Sequence, residues 1–147
     1  MVNRVEWDPR HSVGDAGLDE QHRELLARCN ALADCLAAPE TDPEADRRFD
    51  QAFQELMALA RAHFAAEETL LSARGFAGLD ALRYEVEEFD FLATEIVTTV
   101  NFDREELQAF LSLWWAGHVA GTADEHRDCL AGPPACRGDV AEGLARP

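Results

Sequence analysis

The sequence has few basic residues and no long apolar run. Its 147 residues include 29 acidic and 13 basic side chains, which gives a formal charge of -16. This excess of negative charge disfavours nucleic acid and anionic lipid surfaces as partners. No apolar run approaches the roughly 20 residues of a membrane-spanning helix, and residues 1–10 lack the apolar stretch of a signal peptide. We therefore expect a cytoplasmic protein that binds neither nucleic acid nor membrane.

Cysteine is also scarce, with four residues in the chain: Cys29, Cys35, Cys129 and Cys136. Without signs of secretion, such cysteines are expected to be reduced thiols rather than a disulfide framework. Cys129 and Cys136 flank a Gly-Pro-Pro turn, so a disulfide or a metal site formed by this pair is the alternative.

Glycine and proline are concentrated at a few junctions. Residues 39–43, 74–78 and 101–103 interrupt the chain, and Gly132-Pro133-Pro134 closes the last segment. The intervening stretches predict helices near 19–38, 44–73, 79–100 and 104–130. The second opens with Thr41-Asp42-Pro43, and the fourth opens with Asp103 as a capping residue. We predict one domain over residues 1–131 and a flexible C-terminal tail over 132–147.

Apolar residues in these stretches recur in alternating steps of three and four, which is typical of helices that bury one face. The predicted faces run through Phe49, Phe53, Leu56, Ala60, His63, Glu67 and Leu70; through Leu79, Leu82, Val86, Phe89, Ala93, Ile96 and Val100; and through Leu107, Leu111, Trp114, His118 and Gly121. Short connections make consecutive helices antiparallel. The fold class is therefore predicted to be all-α, an up-down-up-down antiparallel four-helix bundle with an N-terminal arm.

Four polar residues occupy apolar-face positions: His22, His63, Glu67 and His118. A single core histidine is usually satisfied by a hydrogen bond. In this bundle, however, the start of the first helix and the ends of the second and fourth lie at the same end, so these four side chains should converge. Leaving them together in a dry interior would cost several kcal/mol, and a divalent cation removes that cost. Three nitrogens and one oxygen suit iron, zinc or manganese.

The third helix should face this site with Leu82 and Val86, which have no lone pair to offer. We therefore expect ligands from three helices and an apolar wall from the fourth. Glu85 is expected to point outward within an acidic stretch, as costly burial of its charge suggests. Tyr84 and His11 are expected at the surface.

Three motifs in order resemble the hemerythrin family, whose oxygen-binding members hold a non-haem di-iron centre in such a bundle. They are Asp19-Glu20-Gln21-His22, preceded by Trp7 and Val13-Gly14; His63-Phe64-Ala65-Ala66-Glu67-Glu68; and the segment from Trp114 through His118 to Gly121-Thr122. The resemblance spans residues 7–124. It implies metal ligation by His22, His63, Glu67 and His118.

Three ligands of the family pattern are missing. The two histidines of its third helix fall on Leu82 and Val86, and its second bridging aspartate falls on Ala123. In the resemblance one iron takes His22 and His63, so this position keeps its nitrogens while the other loses most of its donors. We therefore expect one divalent cation, iron before zinc or manganese, rather than a di-iron centre.

These losses predict that ordinary oxygen carriage, which requires two irons to deliver two electrons, is absent or altered. A role in metal, oxygen or small-gas sensing, or in storage, is the leading hypothesis, and the question whether the protein is an enzyme stays open. The alternatives are a metal-free interaction bundle, an enzyme with an open metal position, and a di-iron protein with substitute ligands. Substitutes could be Glu85, or Asp124, Glu125 or His126 after a shift in the register of the fourth helix.

Overall fold

The computed structural model describes residues 3–132, and four helices account for most of them. A short 3₁₀ turn at Pro9–His11 precedes α1 (Ala16–Leu36), α2 (Ala45–Ala73), α3 (Leu79–Thr98) and α4 (Arg104–Ala131). Consecutive helices pack against each other and α1 closes the ring against α4. The predicted all-α four-helix bundle is confirmed. Apart from Gly132, the predicted tail at 132–147 lies outside the described residues, so that domain boundary stays a prediction.

Two of the helices, α1 and α4, begin at an aspartate whose side chain accepts a hydrogen bond from a backbone N–H of the first turn. Asp15 accepts a hydrogen bond of 2.9 Å from the backbone N–H of Leu18, so α1 begins earlier than the predicted residue 19. Asp103 caps α4 as predicted. The predicted start at Thr41-Asp42-Pro43 instead belongs to the turn before α2, where Asp42 accepts from the N–H of Glu44.

The end of α2 requires a glycine. Gly75 has a φ of 71°, and the N–H of Phe76 donates across it to the carbonyl of Leu71 at 3.0 Å. This is a Schellman closure, which places its left-handed residue where a side chain would be strained. The sharp turn directs α3 back along α2, with Phe76 against the ring of His126.

The core lies mainly between α1, α2 and α4. Its largest fully buried side chains include Phe49, Phe89 and Trp115. In contrast, α3 buries only Leu82, Phe89 and Ala93, and an open groove of about 610 Å³ separates it from α2. Because α3 ends at Thr98, Val100 is 98% exposed and does not belong to the predicted apolar face.

The buried face of α4 differs from the predicted one. Trp115 is fully buried, whereas Trp114 is only partly buried and Gly121 is exposed. The face continues through buried positions at Val119, Ala123 and His126. A helix turns by about 100° per residue, so this face is rotated by about one position relative to the prediction.

The predicted N-terminal arm is attached by two side-chain amides. Asn30 of α1 donates to the carbonyl of Val5 at 2.7 Å and accepts from its N–H at 2.9 Å. Gln108 of α4, fully buried, exchanges the corresponding pair of hydrogen bonds with Asn3 at 2.6 and 2.9 Å. Ser112 donates a further bond to the same carbonyl. The arm therefore lies along α1 and α4, above the core.

The cysteines of the described part of the chain, Cys29, Cys35 and Cys129, are free. Burial raises the pKa of Cys29 to about 12, so its thiol stays protonated and behaves as a small apolar side chain. Cys136 lies outside the described residues, and the alternative pairing with Cys129 is therefore untested. Among residues 3–132, no helix is long and apolar enough to cross a membrane.

Replacing Gln108 by alanine should release the arm. The variant removes both hydrogen bonds between the Gln108 side chain and the backbone of Asn3, which should cost about 1–3 kcal/mol of unfolding free energy. Urea unfolding measures the loss, and hydrogen exchange should speed up at residues 3–5. Gln51→Ala is the matched control, since Gln51 is exposed, and it should change stability by less than about 0.5 kcal/mol. Equal stability of the two variants would contradict the docked arm.

Candidate metal centre

The bundle brings the four sequence-predicted residues together at one end. His22 lies early in α1, His63 and Glu67 are one turn apart in the last third of α2, and His118 lies in α4. All four are buried. One donor atom from each lies within 4.8 Å of the donor atoms of the others. The convergence expected from the antiparallel order is therefore present.

The carboxylate of Glu67 lies among the three imidazoles. Its Oε1 is 3.3 Å from Nε2 of His118 and 3.6 Å from Nε2 of His63, and its Oε2 is 3.9 Å from Nε2 of His22. The Nε2 atoms of His22 and His63 are 3.1 Å apart. Nε2 of each of these three histidines thus faces one small volume that also holds the carboxylate of Glu67.

Several of these polar atoms lack hydrogen bonds. Both oxygens of Glu67, both ring nitrogens of His118 and Nδ1 of His22 are buried without a hydrogen-bond partner among the residues described. Buried polar groups are normally satisfied, and unsatisfied ones mark strain, function or a bound group. Three imidazoles and one carboxylate are a common donor set for first-row divalent metals, so the residues present fit a cation.

His22, His63 and Glu67 have the protonation states that metal ligation requires. Burial, reinforced by the neighbouring His63 and His118, lowers the pKa of His22 to about 3, and burial lowers the pKa of His63. Burial alone would raise the pKa of Glu67, but the surrounding histidines, His118 first, hold it below its ordinary value. Two neutral imidazoles and an ionised carboxylate are therefore available at neutral pH.

His118 differs from the other two histidines. Burial opposes its charged form, but the carboxylates of Glu67 and Glu85 outweigh this and raise the pKa of His118 to about 9. Without a cation, a protonated His118 compensates part of the negative charge of Glu67. Since a metal ligand must be deprotonated, cation binding would release this proton.

Outer contacts orient two of the imidazoles. Nδ1 of His63 is 2.8 Å from Oε1 of Gln21, which can only accept, so Nδ1 carries the proton and Nε2 keeps its lone pair toward the centre. The indole ring of Trp114 stacks on His118 at 5.2 Å between centroids and 10° between planes. Gln21 belongs to the first sequence motif, but no role was predicted for it.

The face contributed by α3 agrees in part with the prediction. Leu82 is buried and Val86 partly buried beside the core, and neither has a donor. Tyr84 is exposed as predicted. Glu85 departs from the prediction, since its side chain is 44% exposed but its Oε1 is buried, 3.6 Å from Nδ1 of His118. It lies behind His118, as an outer carboxylate does behind a metal-bound histidine.

His126 also lies at the centre, although the sequence suggested it as a substitute ligand only if the fourth helix shifted its register. His126 is 2% exposed, and its Nδ1 is 3.3 Å from Oε2 of Glu67. The helix needs no shift, because 126 is eleven residues after Trp115 and shares its face. Asp124, the other proposed substitute, is exposed and pairs with Arg127, and Glu125 is exposed as well.

Comparison with known proteins agrees with the geometry. Residues 13–126 match the model of the family described as "Hemerythrin HHE cation binding domain". Two curated relatives, each named "Hemerythrin-like protein", come from Naegleria gruberi and Naegleria fowleri. Each is 28% identical over 124 residues, which cover 84% of this chain and 92% of the relative. No solved structure matches. Because the family match covers most of the chain and contains the whole centre, the chain belongs to the hemerythrin family of cation-binding domains.

Proposed function

We propose that this chain is a divalent-cation-binding protein that holds its ion with His22, His63, Glu67 and His118. The observation that supports this most directly is the convergence of four buried donor residues, where both oxygens of Glu67 and both ring nitrogens of His118 have no hydrogen-bond partner among the described residues. A cation would neutralise the carboxylate and satisfy the nitrogens in a single step. The cation-binding description of the matched family points in the same direction.

We further propose that one cation is bound at this group. The positions of the missing family ligands are Leu82, Val86 and Ala123, all without donor atoms. A second ion at the family's other position would lack two nitrogens and one bridging carboxylate. Iron is the first choice, with zinc and manganese accommodated by the same donors. A cytoplasmic location stays a prediction from the sequence.

The proposed role is sensing or storage of the metal, of oxygen or of another small gas, rather than ordinary oxygen carriage. Reversible carriage by the family pattern depends on a pair of irons, and the single group proposed here cannot supply the second electron. The bound ion would supply positive charge and a coordination position. The chain's own residues would exclude water with Phe64, Trp114 and Trp115, whose rings pack around His118.

Metal removal should lower stability. An ion that binds only the folded chain, at a free concentration about 100 times its Kd, adds about 2.7 kcal/mol, which corresponds to a rise in Tm of about 6–10 °C for a domain of this size. Ferrous iron or zinc should therefore raise the Tm of chelator-treated protein by this amount, and elemental analysis should give one ion per chain.

His11→Gln is the control for non-specific binding to imidazole, because His11 lies in the 3₁₀ turn outside the centre. It should bind and melt like the wild type. If added cation leaves the Tm of the wild-type chain unchanged, the proposal is refuted and a metal-free bundle is favoured. Two tightly bound ions per chain would refute the single-ion part.

Replacing a proposed ligand should lower cation affinity more than replacing a residue that only orients a ligand. Gln21→Ala removes only the acceptor that orients His63, so we expect cation affinity to fall by about 10–100-fold. Glu67→Gln keeps the shape but removes the charge in contact with the ion, and should weaken binding more than Gln21→Ala does. Competition with a chromophoric chelator measures both variants, and circular dichroism confirms the fold. The opposite ranking would argue against Glu67 as a ligand.

A further inference from the structure

The centre has one side from which no predicted ligand comes. His22, His63 and His118 approach Glu67 from α1, α2 and α4, whereas α3 presents Leu82. Between α3 and the end of α4 lies a small cleft of about 130 Å³, whose lining includes Phe76, Leu82, Glu85, Thr122, Glu125 and His126. Exposed Glu125 stands at its outer part, and buried His126 stands at its inner part.

The imidazole ring of His126 directs Nδ1 toward the carboxylate of Glu67. Its Nδ1 is buried without a hydrogen-bond partner among residues 3–132, although Oε2 of Glu67 is only 3.3 Å away. The ring of Phe76 packs edge-on against it at 5.2 Å between centroids. An apolar contact on one side and an unsatisfied nitrogen directed at the carboxylate on the other leave the imidazole oriented toward the centre.

The position of His126 also complements the quartet, by which we mean His22, His63, Glu67 and His118. Its ring centroid is 6.4 Å from that of His118, and it reaches Oε2 of Glu67, whereas His118 and His63 approach Oε1. His126 therefore adds a nitrogen on the side facing α3, where Leu82 offers none. The donor comes from α4 and uses Nδ1, in contrast to the Nε2 atoms of the other histidines.

We propose that His126 is a further metal ligand of this centre, acting through Nδ1, and that the adjoining cleft is the route by which small molecules reach the bound ion. This proposal rests on the proposed cation binding and extends it. His126 adds a nitrogen from α4 at the carboxylate of Glu67, on the side where α3 supplies none. Its neighbours Leu82 and Thr122 keep the route narrow, and Glu85 and Glu125 place negative charge along it.

Imidazole ¹⁵N NMR of the zinc-loaded full chain tests the ligand directly. Zinc is diamagnetic, and the ¹⁵N shifts distinguish an imidazole bound through Nδ1 from one bound through Nε2. We expect three histidines bound through Nε2 and one bound through Nδ1, and the Nδ1 signal should vanish in His126→Gln. A His126 whose Nδ1 carries a proton in the loaded protein would overturn the proposal, because it would then only orient Glu67.

Chemical rescue tests the cleft and the ligand together. His126→Ala should weaken binding of cobalt(II) at least about tenfold and change its visible spectrum. Added imidazole should restore both, since the cleft adjoins the space that the side chain vacates. His11→Ala, outside the centre, should need no rescue. A His126→Ala protein that binds cobalt(II) with unchanged affinity and spectrum would overturn the proposal.

These outcomes separate this proposal from the one on which it rests. If the wild type binds neither zinc nor cobalt(II), the cation-binding function itself fails. If the wild type binds one ion and the His126 variants bind it identically, the quartet stands and only the role of His126 fails. Should His126→Ala unfold, the NMR spectrum of the wild-type chain still decides between Nδ1 ligation and a protonated Nδ1.

Discussion

The structure depends on how a bundle tolerates a carboxylate and several imidazoles in its interior. Glu67 is fully buried, and neither of its oxygens has a hydrogen bond within the described residues. Burying an ionised group is costly unless opposite charge compensates it. Here the compensation comes either from a proton on His118, whose pKa is raised to about 9, or from a cation. In the proposed function, a proton and a cation would compete at this carboxylate.

Each helix supplies different residues to the centre. α1 and α2 pack closely and supply His22, His63 and Glu67, while Gln21 determines which nitrogen of His63 faces inward. α4 supplies His118 and His126. α3 is the least buried helix and supplies apolar surface, with Glu85 behind His118. The donor residues therefore lie on the three more deeply buried helices, and the least buried helix faces them with apolar side chains.

The fold could be predicted because the apolar residues follow a clear helical periodicity. The convergence of the quartet could be predicted because its four polar residues interrupt that periodicity. His22, His63, Glu67 and His118 replace apolar residues at regular steps, and helix order then places them at one end. His126 was harder to recognise, because it sits in a polar run and the face of α4 was traced through Trp114 instead of Trp115. Glu85 was not assigned to the centre, because it lies in a run of acidic residues that predicts an exposed face. The arm has no periodicity, and only the buried amide of Gln108 shows how it is attached.

The most direct test is a crystal structure of the cation-loaded protein with anomalous diffraction recorded at the absorption edge of the bound metal. The account predicts one anomalous peak enclosed by His22, His63, Glu67 and His118, with His126 facing it from the side of α3. A peak elsewhere in the molecule, or a pair of peaks bridged by Glu67, would contradict it.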